Sequence, residues 1–141
     1  MKILSFGAGM QSTALALMSC DNAIAQTLGR PVPFPKVPVY DAVIICDLGF
    51  EPPWVQAQAD FVGQKCRSVG IFYTSLDAPL YQDLMRDFGK RRVVSIPWWT
   101  LSDDGHKSKM PRNCTLDYKV GLISKYVRWE LLGYRKGQRL K

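Results

Sequence analysis

Lys2-Ile3-Leu4-Ser5-Phe6-Gly7-Ala8-Gly9-Met10-Gln11-Ser12-Thr13 decides the fold. Its apolar start reads as a short strand over residues 2–6. Gly7-Ala8-Gly9 supplies a small-residue turn, and a helix is expected from Gln11 to Ser19. Glycines at a strand-to-helix corner let an anion come close to the backbone. The free amides of the first helical turn point at that anion, and the helix dipole favours its charge. Ser12 and Thr13 add hydroxyl donors. The segment is a phosphate cradle by its physics, and a tight turn without a ligand is the competing reading. It has no lysine, so it is not a Walker-type loop, and Ser12 stands where a dinucleotide fingerprint needs its third glycine.

The rest of the chain extends this pattern. Ala14 to Met18 place apolar groups around nearly the whole helix, so it is expected to be buried on most sides. Residues 20–38, with Gly29, Pro31, Pro33, Pro35 and Pro38, read as a surface connection without an element of its own. Asp41 to Cys46 is a continuous apolar run, as a strand covered on both faces requires. Glu51-Pro52-Pro53 opens a helix with the stripe Val55, Ala59, Val62 and Cys66, closed by Gly70. Residues 71–74 form a third strand. Asp77 is placed to cap a helix that runs to Phe88 and stops at Gly89.

Strand and helix therefore alternate three times. That order predicts an α/β fold, a doubly wound parallel sheet with helices on both faces. Residues 93–96 are a further strand or an extended segment before Pro97. Residues 98–113 read as an active loop. Within it, Trp98 and Trp99 are expected to plug a core edge rather than stack on a base, and the lone His106 to face solvent. A last helix starts near Thr115, carries Leu116, Val120, Ile123, Val127 and Leu131 on one stripe, and ends at Gly133.

The 141 residues make one domain, 1–141. With 47% hydrophobic and 22% charged residues, wholesale disorder is excluded. The net charge of +7 is uneven: residues 1–85 hold five basic and seven acidic side chains, residues 86–141 fourteen and five. A basic last part suggests contact with phosphate. Basic runs at Lys90-Arg91-Arg92 and at Arg135, Lys136, Arg139 and Lys141 leave nucleic acid as a lesser alternative. Cys20, Cys46, Cys66 and Cys114 are widely spaced, without zinc-like or iron–sulfur spacing, and fit a reducing compartment such as the cytoplasm. Polar residues interrupt the N-terminal apolar stretch, so no signal peptide is expected, and no apolar run is long enough for a membrane span.

Gly7-Ala8-Gly9-Met10-Gln11-Ser12, preceded by Ser5, resembles the PP-loop of the adenine nucleotide alpha-hydrolase superfamily, usually SGGxDS. Ala8 replaces a glycine, and Gln11 replaces the aspartate. Cys46-Asp47-Leu48-Gly49-Phe50-Glu51-Pro52-Pro53 resembles the element after the second strand of phosphoadenosine phosphosulfate (PAPS) reductases. Arg112-Asn113-Cys114-Thr115-Leu116-Asp117-Tyr118-Lys119 is similar to a helix start of that group and of small PAPS-reductase-like proteins of phages and bacteria. Ser95 to Thr100 and Leu131 to Arg139 continue the likeness.

The resemblance implies a Rossmann-like domain of the HUP type that binds ATP or PAPS. Phosphates would rest on Ser5, Gly7, Ala8, Gly9, Gln11, Ser12 and Thr13, and the nucleoside on Asp47, Leu48 and Gly49. Arg112 and Lys119 would add positive charge at the reacting phosphate, and Cys114 is a candidate reactive thiol beside them. Magnesium would accompany ATP, although Gln11 removes a carboxylate from the loop. No iron–sulfur cluster is expected. PAPS reductases use a cysteine in a C-terminal tail that has no counterpart before Lys141, so classical sulfonucleotide reduction is not implied. The chain is shorter than such relatives usually are, and a shortened sheet would leave an edge open to a second subunit. Chemistry at the α-phosphate, non-catalytic nucleotide binding or partner docking, and a part in nucleic-acid modification are the three functions left open.

Overall fold

The computed structural model describes residues 1–87, 99–109, 115–135 and 137–138. They fall into two compact units, Met1–Leu76 and Asp77–Lys141. The first opens with β1 (Ile3–Phe6), α1 (Met10–Thr27), β2 (Ala42–Asp47) and α2 (Pro53–Ser68). β3 (Phe72–Asp77) follows and ends at the boundary between the units. The sheet is three-stranded and parallel, in the order β1-β2-β3. Ile3 pairs with Ala42 and Phe6 with Ile45. Sequential order with right-handed crossovers places α1 and α2 side by side on one face.

β2 is the central strand, and its composition says why. Val43 and Ile44 point to opposite faces and are both fully buried. Leu4 and Phe6 of β1 join Val43, Ala16 and Cys20 of α1, and Ala59, Val62 and Cys66 of α2 in one core. Pro53 opens α2 in the first turn, where no amide partner is needed, and Gly70 takes a left-handed φ of 79° after its end.

Several boundaries differ from those expected. α1 does not stop at Ser19 but runs to Thr27, because residues 20–27 contain no breaker before Gly29 at φ 64°. The connection is therefore residues 28–41, and α1 holds it. Asn22, 1% exposed, donates through Nδ2 to the carbonyls of Phe34 (2.8 Å) and Val37 (2.7 Å) and accepts from the Phe34 amide. Ser19 Oγ accepts from the Tyr40 amide at 2.9 Å. These buried polar groups make α1 one-sided rather than buried all round, with Leu15 and Ile24 exposed.

In the second unit, α3 (Leu80–Asp87) begins after Pro79, whose carbonyl accepts from the Asp83 amide, so Asp77 stays in β3 and caps nothing there. Part of the expected active loop is a hairpin of β4 (Trp99–Leu101) and β5 (Lys107–Lys109), turned at Gly105 with φ 80°. Trp99 is 73% exposed and plugs no core edge, and His106 is exposed. The last helix is described from Thr115, and its α4 (Gly121–Tyr126) is flanked by π-helical segments at Thr115–Val120 and Val127–Leu131. Tyr118 in the first of these donates its hydroxyl to Asp83 of α3 at 2.9 Å. The expected strand at residues 93–96 lies outside the described residues, as does Trp98. No described helix is long and apolar enough to cross a membrane.

Candidate functional site

Two strand-to-helix corners stand next to each other, because β1 and β2 are paired directly and both lead into helices at their carboxyl ends. Ligands of open parallel sheets bind at such ends.

The first corner is residues 7–12. Gly9 is the N-cap of α1, in extended backbone (φ −86°, ψ 164°), and no side chain caps the helix. No acidic residue stands in the first turn, so the positive end of an 18-residue helix is uncompensated by charge on its own first turn. The first intrahelical bond comes from the Thr13 amide to the Gly9 carbonyl at 3.0 Å. The amides of Met10, Gln11 and Ser12 precede it and have no place in the helical ladder. An open recess of about 420 Å³ lies against Gly9, Met10, Gln11 and Ser12.

The glycines of this corner have no internal cause. A Cβ at Gly7 or at Gly9 would meet nothing within 4 Å, and neither residue has a left-handed φ. The residue that does is Ala8, at φ 51°. That is the conformation glycine adopts freely and alanine holds at a penalty. Strain of this kind collects at functional positions.

The predicted phosphate ligands are not equivalent. Gly7, Ala8, Gly9, Gln11 and Ser12 share the corner. The Ser12 hydroxyl donates to the Gly9 carbonyl at 3.1 Å. Thr13 Oγ1 accepts from Gln58 Nε2 of α2 at 2.6 Å, so its hydroxyl also ties the two helices. Ser5 is exposed and alternates with the buried Leu4 and Phe6, which puts it on the opposite face of β1 from the core.

The second corner closes on itself. Asp47 Oδ1 accepts from the Gly49 amide at 2.8 Å, and Gly49 has φ 78°. Asp47, Leu48 and Gly49 thus form a side-chain-stabilised turn. Beside it lies a cavity of about 240 Å³, lined among others by Asp47, Glu51, Gln56, Asp60, Arg67 and Tyr73. Tyr73 organises its wall. Its hydroxyl donates to the Ala59 carbonyl at 2.9 Å, its ring meets Phe6 edge-on, and the Arg67 guanidinium lies 5.2 Å from the ring centre. Burial pushes the Tyr73 phenol up to about 12. Phe50 and Trp54 are 80% and 72% exposed at this corner.

Of the residues expected to supply charge, Lys119 sits half-buried in the first π-helical segment of the second unit. Arg112 and Cys114 lie outside the described residues. Among the described residues no group of three or more His, Cys, Asp or Glu side chains could hold a metal ion. The side chains at the first corner bring the Gln11 amide and hydroxyls but no carboxylate.

Gln58, Tyr73 and Arg67 escaped the sequence reading. Gln58 adjoins the apolar stripe of α2 and carries a long amide, which is a signal of a partner on the next helix. Nothing local marks Tyr73. No protein family, no curated protein and no solved structure matches the chain. The protein has an α/β fold with a three-stranded parallel sheet and an uncapped glycine corner at the head of its first helix.

Proposed function

We propose that the β1–α1 corner binds the phosphate chain of an adenine nucleotide, ATP or PAPS, in a domain of the doubly wound PP-loop type. The observation that carries this reading is the pair of glycines with open space where a Cβ would stand, at an uncapped helix head. A bare backbone with unclaimed amides is what a close-lying phosphate needs. The nucleoside would lie toward Asp47, Leu48 and Gly49, beside the second cavity.

In the catalytic version an acceptor oxygen attacks the α-phosphorus and pyrophosphate leaves. Loop amides, with Ser12 and Thr13, would hold the leaving group. Gln11 in place of the family's carboxylate favours a second reading, in which the domain binds the nucleotide without turning it over.

Thermal unfolding tests binding. ATP or PAPS at a hundredfold excess over its dissociation constant stabilises the fold by about 2.7 kcal/mol. No shift with either nucleotide at millimolar concentration, with and without magnesium, removes the proposal. Once binding is confirmed, release of pyrophosphate or AMP separates the enzyme from the binding module.

A further inference from the structure

We propose that Cys20 and Cys66 form a reversible disulfide staple between α1 and α2, closed by a small peroxide. Their sulfurs are 3.9 Å apart and share a hydrogen bond. They are 3% and 0% exposed, and both are free thiols. They come from positions 46 residues apart, so the contact is tertiary and specific to the fold.

The pair is one of two rungs on a single seam. Gln58 donates to Thr13 near the heads of the same two helices. Cys20 follows Thr13 and Cys66 follows Gln58 by about two turns, so the rungs stand roughly 11 Å apart along the seam. The seam is held at both levels, which keeps the two sulfurs facing each other. A disulfide needs a sulfur separation of about 2.05 Å. Closing the bond needs the sulfurs to approach by about 1.9 Å.

The contact also couples the two thiols. The hydrogen bond shared with Cys66 holds Cys20 below the ordinary thiol range, with Lys65 contributing. The same bond, and burial, hold Cys66 far above it. The two sulfurs face each other at 3.9 Å, so whichever reacts first is resolved by the other; with Cys20 first, two steps close the bond. The Cys20 thiolate attacks one oxygen of hydrogen peroxide, giving a sulfenic acid and hydroxide. Cys66 then attacks the Cys20 sulfur, the new S–S bond forms, and the hydroxyl leaves with the thiol proton as water. Two electrons pass from the sulfurs to the peroxide O–O bond. A water-sized oxidant suits sulfurs this deeply buried, whereas a bulky disulfide would need the helices to part. A thiol reductant reverses the reaction by exchange.

The test treats the full chain with hydrogen peroxide and maps it without reduction by mass spectrometry. The expected result is a loss of two mass units, a linked pair of Cys20 and Cys66 peptides, and a melting temperature higher by roughly 10 °C, all reversed by dithiothreitol. Cys20→Ser and Cys66→Ala, treated alike, should show no such rise. Should either variant fail to fold, the peptide map of the unaltered chain decides alone. Conversion of Cys20 or Cys66 to unpaired sulfinic acid, linkage of either to Cys46 or Cys114, or both thiols left intact would each overturn the staple.

Discussion

The corners at the ends of β1 and β2 are adjacent in the sheet and opposite in construction. At the second corner the chain satisfies itself: Asp47 accepts from the Gly49 amide, and Tyr73 is pinned by hydrogen bond, ring contact and cation. At the first corner no side chain caps the helix head, and its glycines face open space. Self-satisfied turns are structural by default, because buried or half-buried polar groups seek partners. A corner built to leave its donors unclaimed asks for a partner from outside the chain. On the proposed reading the first corner takes the phosphates and the second gives the nucleoside a preformed wall, and the two contributions can be broken separately.

The largest expected effect falls on the self-satisfied side. A Cβ on Gly63 of α2 would come within 2.8 Å and 2.9 Å of the Tyr73 ring. That ring is fixed at its hydroxyl and along its face, so it cannot yield cheaply. Gly63→Ala is expected to destabilise the protein by about 2 kcal/mol, as overpacking does, with affinity for inorganic pyrophosphate, which needs only the first corner, unchanged. Chemical denaturation measures the first and calorimetric titration the second. The phenol of Tyr73 gives an independent check by pH. Its folded value of about 12 exceeds the ordinary 10, because burial disfavours the phenolate. The unfolded chain therefore loses that proton first. Stability from this group is intact below pH 10 and declines as the pH rises toward 12. An absorbance titration that finds all tyrosines ionising near 10 would show the wall of the cavity to be open.

The converse experiment is Gly7→Ala with Gly9→Ala. Open space and ordinary backbone mean that stability should change by less than about 0.5 kcal/mol. The two methyl groups stand where a phosphate would approach, so ATP affinity should fall about tenfold, or 1.4 kcal/mol. Unchanged affinity, measured on a protein that does bind ATP, would move the phosphates away from this corner. Asp47→Ala follows in size. It removes the bond to the Gly49 amide and should lower stability by about 1 kcal/mol, while Asp47→Asn, which keeps an acceptor oxygen, should lower it less.

How much of this was readable in the sequence depends on where each signal lives. β2 was legible because unbroken apolar residues have few other uses, and α2 because its stripe and its proline start agree. The end of α1 was misplaced because prolines at 31–38 drew the boundary forward, although no breaker stands between Cys20 and Thr27. The buried Asn22 contradicted the apolar pattern, and its role depends on carbonyls twelve and fifteen residues later. The π-helical winding around α4 has no signature in a 3.6-residue periodicity, and Leu116 and Val120 of the expected stripe are 63% and 47% exposed. The corner at residues 7–12 was visible as a glycine turn. That its glycines are unexplained by packing is a fact about empty space, which no residue pattern records.

The smallest effect is the most discriminating, because its sign is unusual. Ala8 holds a φ of 51° that glycine adopts without penalty. Ala8→Gly relieves the left-handed strain, and the freer unfolded chain offsets part of the gain. A net stabilisation of about 0.5 kcal/mol is expected, where a glycine introduced elsewhere usually destabilises. Affinity for ATP should change by less than about twofold, since the backbone already has the shape that glycine would give it. Stability measured by denaturant midpoints, at equal slope, resolves a change of this size. A loss of stability would mean that residue 8 is not held in the left-handed region in solution, and the first corner would then lack the bend on which its open amides depend.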